Sequence, residues 1–376
     1  MAVTTNLYSL STNQAANGPD GNTDYPSSLD DQQRYLGAFL ATLRDSGHQY
    51  PGVVSGSNTI TGTLTPAPTA YITGGPYRFF VATTNTGAVT LNLSSLGAKN
   101  VLMRGAALVG GELLAGTIAE VVYDGTSFHL VSVNAPTPGV LSGMALSNNA
   151  TDIVNDIDVT AGQCADSTGS VLMRGAAMTK RLDAAWAAGT GNGGRLSAAA
   201  IANVTYHFFA IRKDSDGSID YGFDVSPTAP TMPTGYTYFR RIGSVIRASA
   251  ALLLFVQTGD DFVLTTRVPN TNAAAATTGA RTLVAVTVPT GVKMKARLRV
   301  TVSNAAGANL LVTSPDETDQ GAGNDNSTFP INAGTTVGGQ IEVLTDTSAQ
   351  IGYRSNSANS LTTISTYGWA DTRGRT

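Results

Sequence analysis

Residues 189–194, Gly-Thr-Gly-Asn-Gly-Gly, satisfy G-x-G-x-x-G, the spacing that lays backbone N–H groups against a pyrophosphate. That chemistry needs a buried strand just before the loop and a helix just after it, so that the phosphates meet the helix N-terminus. What precedes the loop is the helix-like run 181–186, and no strand–helix–strand alternation is found in the chain, so a loop after a helix is the better reading. Asp214, Asp216 and Asp220 form D-x-D-G-x-x-D, part of a calcium-loop pattern. Such a loop needs five or six ligand positions and flanking helices, whereas these flanks are strand-like, and an Asp-Gly hairpin turn is expected. Asp316, Glu317 and Asp319 would suit an acid and a base. Paired carboxylates work only when a fold holds them about 5 to 9 Å apart around a bond, and this Ser-Pro-Asp-Glu-Thr-Asp-Gln-Gly run reads as a solvated loop.

His48, His129 and His207 are scattered over separate segments. His207 sits between Tyr206 and Phe208 on a strand-like run, where a hydrogen-bonded structural imidazole is expected. Cys164 is the sole cysteine, which excludes an intrachain disulfide and a multi-cysteine zinc site. No G-x-S-x-G, H-E-x-x-H or Walker A sequence is present. No catalytic residue, metal site or cofactor is therefore expected. Tyr353, Arg354, Tyr367, Trp369 and Arg373 gather aromatic and guanidinium groups near the C-terminal end. Such groups grip sugars and protein surfaces because a flat ring buries area at little entropic cost; they also fill cores.

The elements that must position these residues are short strands. Only 13% of the 376 residues are charged, about half the usual share, and the 42% that are hydrophobic are rich in Ala and Val. Such a chain suits strands and polar turns better than long amphipathic helices. A net charge of −3 gives no overall pull toward nucleic acid or anionic membrane. The N-terminus has no secretory pattern, and the greasiest run, 248–256, is too short to cross a bilayer, so no membrane insertion is expected. Assembly in a reducing cytoplasm is compatible with the single cysteine.

Along the chain, 1–50 is a polar tail followed by a helix with Ser28 as N-cap and Gly47 as its end. Leu29, Leu36 and Leu43 recur every seven residues beside Phe39 and Leu40, giving an apolar face roughly 25 Å long. Leu29, Leu36, Phe39 and Leu43 are candidate anchors, either on the chain's own domain or in a small bundle or docking contact. Residues 51–69 form a Pro/Gly/Thr-rich connector. A small β module follows over 70–135, where Val89, Leu91 and Leu93 alternate with polar residues. In the same module, Ala119, Val121 and Tyr123 lead through Asp124-Gly125 to Phe128 and Leu130, a hairpin pattern. A central β-rich domain spans 136–270, with 178–188 as its only helix-like run. Residues 271–279 form an Ala-rich linker, and 280–376 a C-terminal β-sandwich. VLMRGAA occurs at 101–107 and at 171–177, in surroundings too different to mark a repeat.

The wording of 84–99 (TNTGAVTLN…LGAK) and 120–128 (EVVYDGTSF) resembles a module of tail-fibre proteins of tailed bacteriophages. So does the central domain: NDIDVTAG (155–162), KRLDAAWAAGTGNGG (180–194), YHFFAIRKDSDGSIDYGFD (206–224), PTAPTMPTGYTYFRRIGSV (227–245) and FVQTGDDFVL (255–264). The Gly-rich stretch belongs to that wording, which favours the loop reading further. The resemblance covers roughly 70–376. It implies a structural virion protein that contributes to host attachment, with an N-terminal attachment segment meeting tail, baseplate or collar proteins. It also implies a homotrimer and a C-terminal region facing a host surface receptor, for instance a glycan. A capsid or collar fibre is the near alternative, and a polysaccharide-degrading tail enzyme the distant one. The expected fold is mainly β, several small antiparallel sandwich- or barrel-like modules in series with a short N-terminal helix.

Overall fold

The computed structural model describes residues 33–38, 40, 54–64, 67–131 and 139–375. The protein is mainly β, with several small sheets and one short N-terminal helix. Residues 33–38 and 40 are helical, and Leu36 there is 48% exposed. Leu29, Phe39 and Leu43 lie outside the described residues, as does His48.

The chain divides into two compact units, one of Met1–Asn134 with Asp214–Gly217, the other of Ala135–Lys213 with Ser218–Thr376. In the first, a seven-stranded sheet runs in the order Thr59–Gly62, Val89–Leu93, Lys99–Met103, Phe128–Leu130, Ile118–Tyr123, Pro76–Phe80, with Ala106–Ala107 folded back on Lys99–Met103. The alternation seen in the sequence is the burial pattern: Val89, Leu91, Leu93, Ala119, Val121 and Tyr123 all point inward. The Asp-Gly hairpin forms as expected, with Tyr123 opposite Phe128 and Gly125 at φ 104°. Asp124 Oδ1 accepts the N–H groups of Thr126 and Ser127, each at 2.7 Å, and these bonds pull its carboxyl down to about 2. Tyr77 and Phe128 meet edge to face at 5.3 Å in the centre of this core. The Thr59–Gly62 strand lies within the stretch expected as connector, in parallel register with Val89–Leu93.

The second unit holds four sheets. The largest is eight-stranded, in the order Ala251–Leu252, Tyr236–Ala248, Thr205–Lys213, Ile219–Asp224, Gly193–Arg195, Met178–Ala185, Asp156–Val159, Leu146–Asn148. A three-stranded sheet joins Leu172–Gly175, Gly162–Ala165 and Leu141–Gly143. The last two are Phe255–Thr258, Asp261–Ala275, Leu361–Ala370, Lys295–Asn304, Thr335–Leu344 and Thr282–Ala285, Gln350–Ser355, Ala308–Thr313, Phe329–Ile331. Most pairings are antiparallel, but Gly193–Arg195 runs parallel to both its neighbours.

Two expectations change here. The helix-like run 178–188 is instead the strand Met178–Ala185, with Lys180 and Leu182 buried and Arg181 and Asp183 outward. Its Ala-rich composition favours helix, but pairing with Asp156–Val159 fixes a period of two, and tertiary context outweighs propensity. The linker expected at 271–279 is entered by the fifteen-residue strand Asp261–Ala275. That strand pairs with Leu361–Ala370 up to Ala275 opposite Leu361, so the expected second and third modules share a sheet and one compact unit.

Candidate functional site

The Gly-rich loop is built around a buried lysine. Lys180 has no accessible surface, and its Nζ donates to the carbonyls of Ala187 at 2.7 Å and Gly189 at 3.1 Å and pairs with Asp220 Oδ1 at 2.9 Å. Asp220 Oδ2 in turn accepts the Gly189 N–H at 2.6 Å. Trp186 covers the ammonium 5.5 Å from its ring centre and donates Nε1 to the Tyr221 carbonyl. Burial pushes the Lys180 ammonium below its ordinary value, and Asp220 opposes that push. The loop therefore lies between two strands, Met178–Ala185 and Gly193–Arg195, with no helix after it, and its Gly189 and Gly191 N–H groups are already bonded to Asp220 and Thr179. The Asp-rich motif is likewise divided. Residues 214–217 turn between Thr205–Lys213 and Ile219–Asp224, while Asp220 faces Lys180. Among the described residues no group of three or more His, Cys, Asp or Glu side chains converges as a metal site would.

A second ionic network lies where the C-terminal segment meets the Tyr236–Ala248 strand. Arg241 holds Asp371 through two bonds of 2.7 Å and donates a third to Ser244 Oγ at 2.9 Å. Ser244 Oγ shares a 2.9 Å hydrogen bond with His207 Nδ1. His207 is 1% exposed, and burial, aided by the Arg241 charge, pushes its imidazole down to about 4. It is a neutral structural histidine at physiological pH. Arg373 threads the same region, donating Nε to the Ile242 carbonyl at 2.7 Å and its terminal nitrogen to the Met144 carbonyl. Cys164 is buried, and burial pushes its thiol up to about 12, which removes the reactive thiolate.

The residues singled out near the C-terminal end do not form one exposed patch. Trp369 is 1% exposed and stacks on Phe262 with ring centres 5.4 Å apart; Tyr353 and Arg373 are buried too. Arg354 donates to the Thr278 carbonyl and meets Asp319 at 3.3 Å, while Tyr367 is half-buried with Arg267 over its ring. The acidic run is parcelled out in the same way. Asp316 pairs with Lys293 at 2.6 Å, Glu317 accepts the Ser314 N–H, and Asp319 accepts the Arg281 N–H. These three carboxylates thus face different partners rather than one another.

A cleft missed at the sequence level opens beside the second network. It encloses about 390 Å³ and is lined by Phe209, Phe239, Pro227, Arg240, Lys293 and Ser167 among others. Its only sequence signal was the Arg240-Arg241 pair on a strand, and the pattern gave no hint that one of the two would find a carboxylate and the other none.

No protein-family model matches the chain, and no curated protein matches it. Among solved structures, a chain from "Structure of infectious bursal disease virus Gx strain" aligns at 10% identity over 80% of this chain and 69% of that chain. The TM-score is 0.18, too low for the likeness to carry an argument.

Proposed function

We propose that the chain is a structural component of a virion, a tail fibre or related appendage that contributes to host attachment. The observation that supports this reading is where the fibre-like wording falls. Residues 206–224 and 227–245 supply the Thr205–Lys213, Ile219–Asp224 and Tyr236–Ala248 strands, the buried centre of the eight-stranded sheet. Residues 180–194 fold onto that centre through Lys180 and Asp220. The resemblance thus lies in the scaffold itself, and Lys180, Asp220 and Arg241 within it are engaged in holding strands and loops.

The same reading carries a homotrimeric assembly and an attachment role for residues 1–50. Antibody raised against residues 280–376 and imaged on intact particles tests it. Labelled projections from the particle are the expected result. Particles that contain the protein only in their interior, or lack it altogether, would overturn the assignment. Incubation of the pure chain with host capsule or lipopolysaccharide is expected to release no reducing ends; their release would favour the enzyme reading instead.

A further inference from the structure

We propose that the cleft beside Arg240 is an anion-binding site, shaped for a carboxylate or phosphate group carried on a compact, partly apolar ligand of monosaccharide size. Arg240 is 4% exposed. Its Nε makes one long bond, 3.4 Å, to the Arg373 carbonyl, and its Nη2 has no partner. Every neighbouring cation is provided for: Arg241 by Asp371, Lys293 by Asp316, Arg375 by Asp260, Arg373 by backbone carbonyls.

Neither of the two acids nearest to hand hydrogen-bonds the Arg240 fork. Asp166 spends Oδ1 on the N–H groups of Ser170 and Val171, and Oδ2 on Thr168. Cys164 is held as a neutral thiol by burial. Burial acts most strongly against the Arg240 charge, Arg241 and Arg375 add to that pressure, and the nearby Asp166 carboxylate opposes it from a distance. A buried guanidinium with an unbonded Nη2 and no carboxylate in direct contact gains from an anion that supplies both.

The cleft supplies the rest of a binding site. Its volume of about 390 Å³ falls in the range of small-ligand sites, which combine apolar walls with a few polar groups. Phe209 and Phe239 meet edge to face at 5.9 Å and, with Pro227, give walls suited to the carbon face of a sugar ring. The Ser167 hydroxyl adds a hydrogen-bonding group, and the half-exposed Lys293 ammonium, which a bound anion would share with Asp316, lines the same cleft. This proposal stands on the cleft alone and holds whether or not the chain is a fibre.

Titration calorimetry of the full chain with glucuronate, inorganic phosphate and glucose, at constant ionic strength to remove general screening, tests it. Saturable binding of at least one anion and none of glucose is expected. Preference for glucuronate would assign a carboxylated sugar, and preference for phosphate a phosphoryl group. Arg240→Met removes the charge and keeps the length of the side chain. It is expected to retain the native melting temperature or exceed it while weakening anion binding at least roughly tenfold. Lys293→Gln, at the rim and outside the core, should weaken it roughly threefold, and it carries the test should Arg240→Met fail to fold. Failure of both anions to bind saturably overturns the proposal, as does native affinity in a folded Arg240→Met or, if that variant does not fold, in Lys293→Gln.

Discussion

A lysine with no accessible surface is tolerable only while each ammonium proton has an acceptor, and Lys180 meets that condition with two carbonyls and one carboxylate. His207 solves the same problem by staying neutral, with Ser244 on one ring nitrogen and Arg241, Asp371 and Asp224 as the nearby charges. The consequence is a pH dependence of definite sign. The folded imidazole titrates at about 4, below the ordinary 6.5, so the unfolded chain binds more protons between those values. His207 therefore contributes nothing against the fold above pH 6.5 and destabilises it progressively as pH falls through 6.5 toward 4. The full effect is on the order of 3 kcal/mol. Asp156 acts oppositely, since burial raises its carboxyl to about 6; it adds stability as pH falls through that value, an effect reduced by solvent screening at a partly exposed site. Urea denaturation of the native chain and of His207→Asn from pH 7 to pH 4 separates the two. The native chain should lose stability faster than the variant across that interval, and parallel profiles would remove His207 as the cause.

Among elements, glycine does its work where two strands or a ring come too close for a Cβ. A Cβ on Gly194 would stand 2.8 Å from the ring of Phe223 and 3.0 Å from Lys180 Cβ, both fully buried. Gly194→Ala should cost about 1–3 kcal/mol by overpacking, whereas Gly279→Ala, with nothing within 4 Å, should be close to neutral. The difference in urea midpoint between these two variants measures the effect, and equal midpoints would show that the Phe223 contact yields freely. The Asp124-Gly125 hairpin and the alternation at 89–93 were legible because each is a local pattern whose partner lies a few residues away. The Met178–Ala185 strand was not, because Arg-Leu-Asp-Ala-Ala reads as helix until the pairing to Asp156–Val159 is known. VLMRGAA shows the same limit. Its first copy makes a strand, a left-handed Arg104-Gly105 turn and a return strand; its second lies on Leu172–Gly175, with Gly175 against the Tyr221 hydroxyl. The buried roles of Trp369 and Arg373 were out of reach for the same reason, since Phe262 and Met144 are more than a hundred residues away in the chain.

On the scale of the whole molecule, the two units differ in how completely each holds its own core. Every member of the first unit's hydrophobic cluster lies between Val54 and Leu130, and the cluster includes Tyr77, Phe79 and Phe128 at zero exposure. Its sheet is closed within the same span, from Thr59–Gly62 to Phe128–Leu130. A segment of about 80 residues is large enough to fold alone when its apolar faces pair internally. The fragment 54–134 should therefore give a dispersed amide spectrum and a cooperative melt of its own, and calorimetry of the full chain should resolve more than one transition. The second unit should not divide in the same way at 270–280. The Asp261–Ala275 strand takes its partner from Leu361–Ala370, and the Arg241–Asp371 pair ties the central sheet to the last residues of the chain. A fragment ending at 270 would leave Arg241 and Phe262 without Asp371 and Trp369, and it should be insoluble or molten. Independent, cooperative folding of 139–270 would show that the C-terminal segment is an addition to that core rather than part of it.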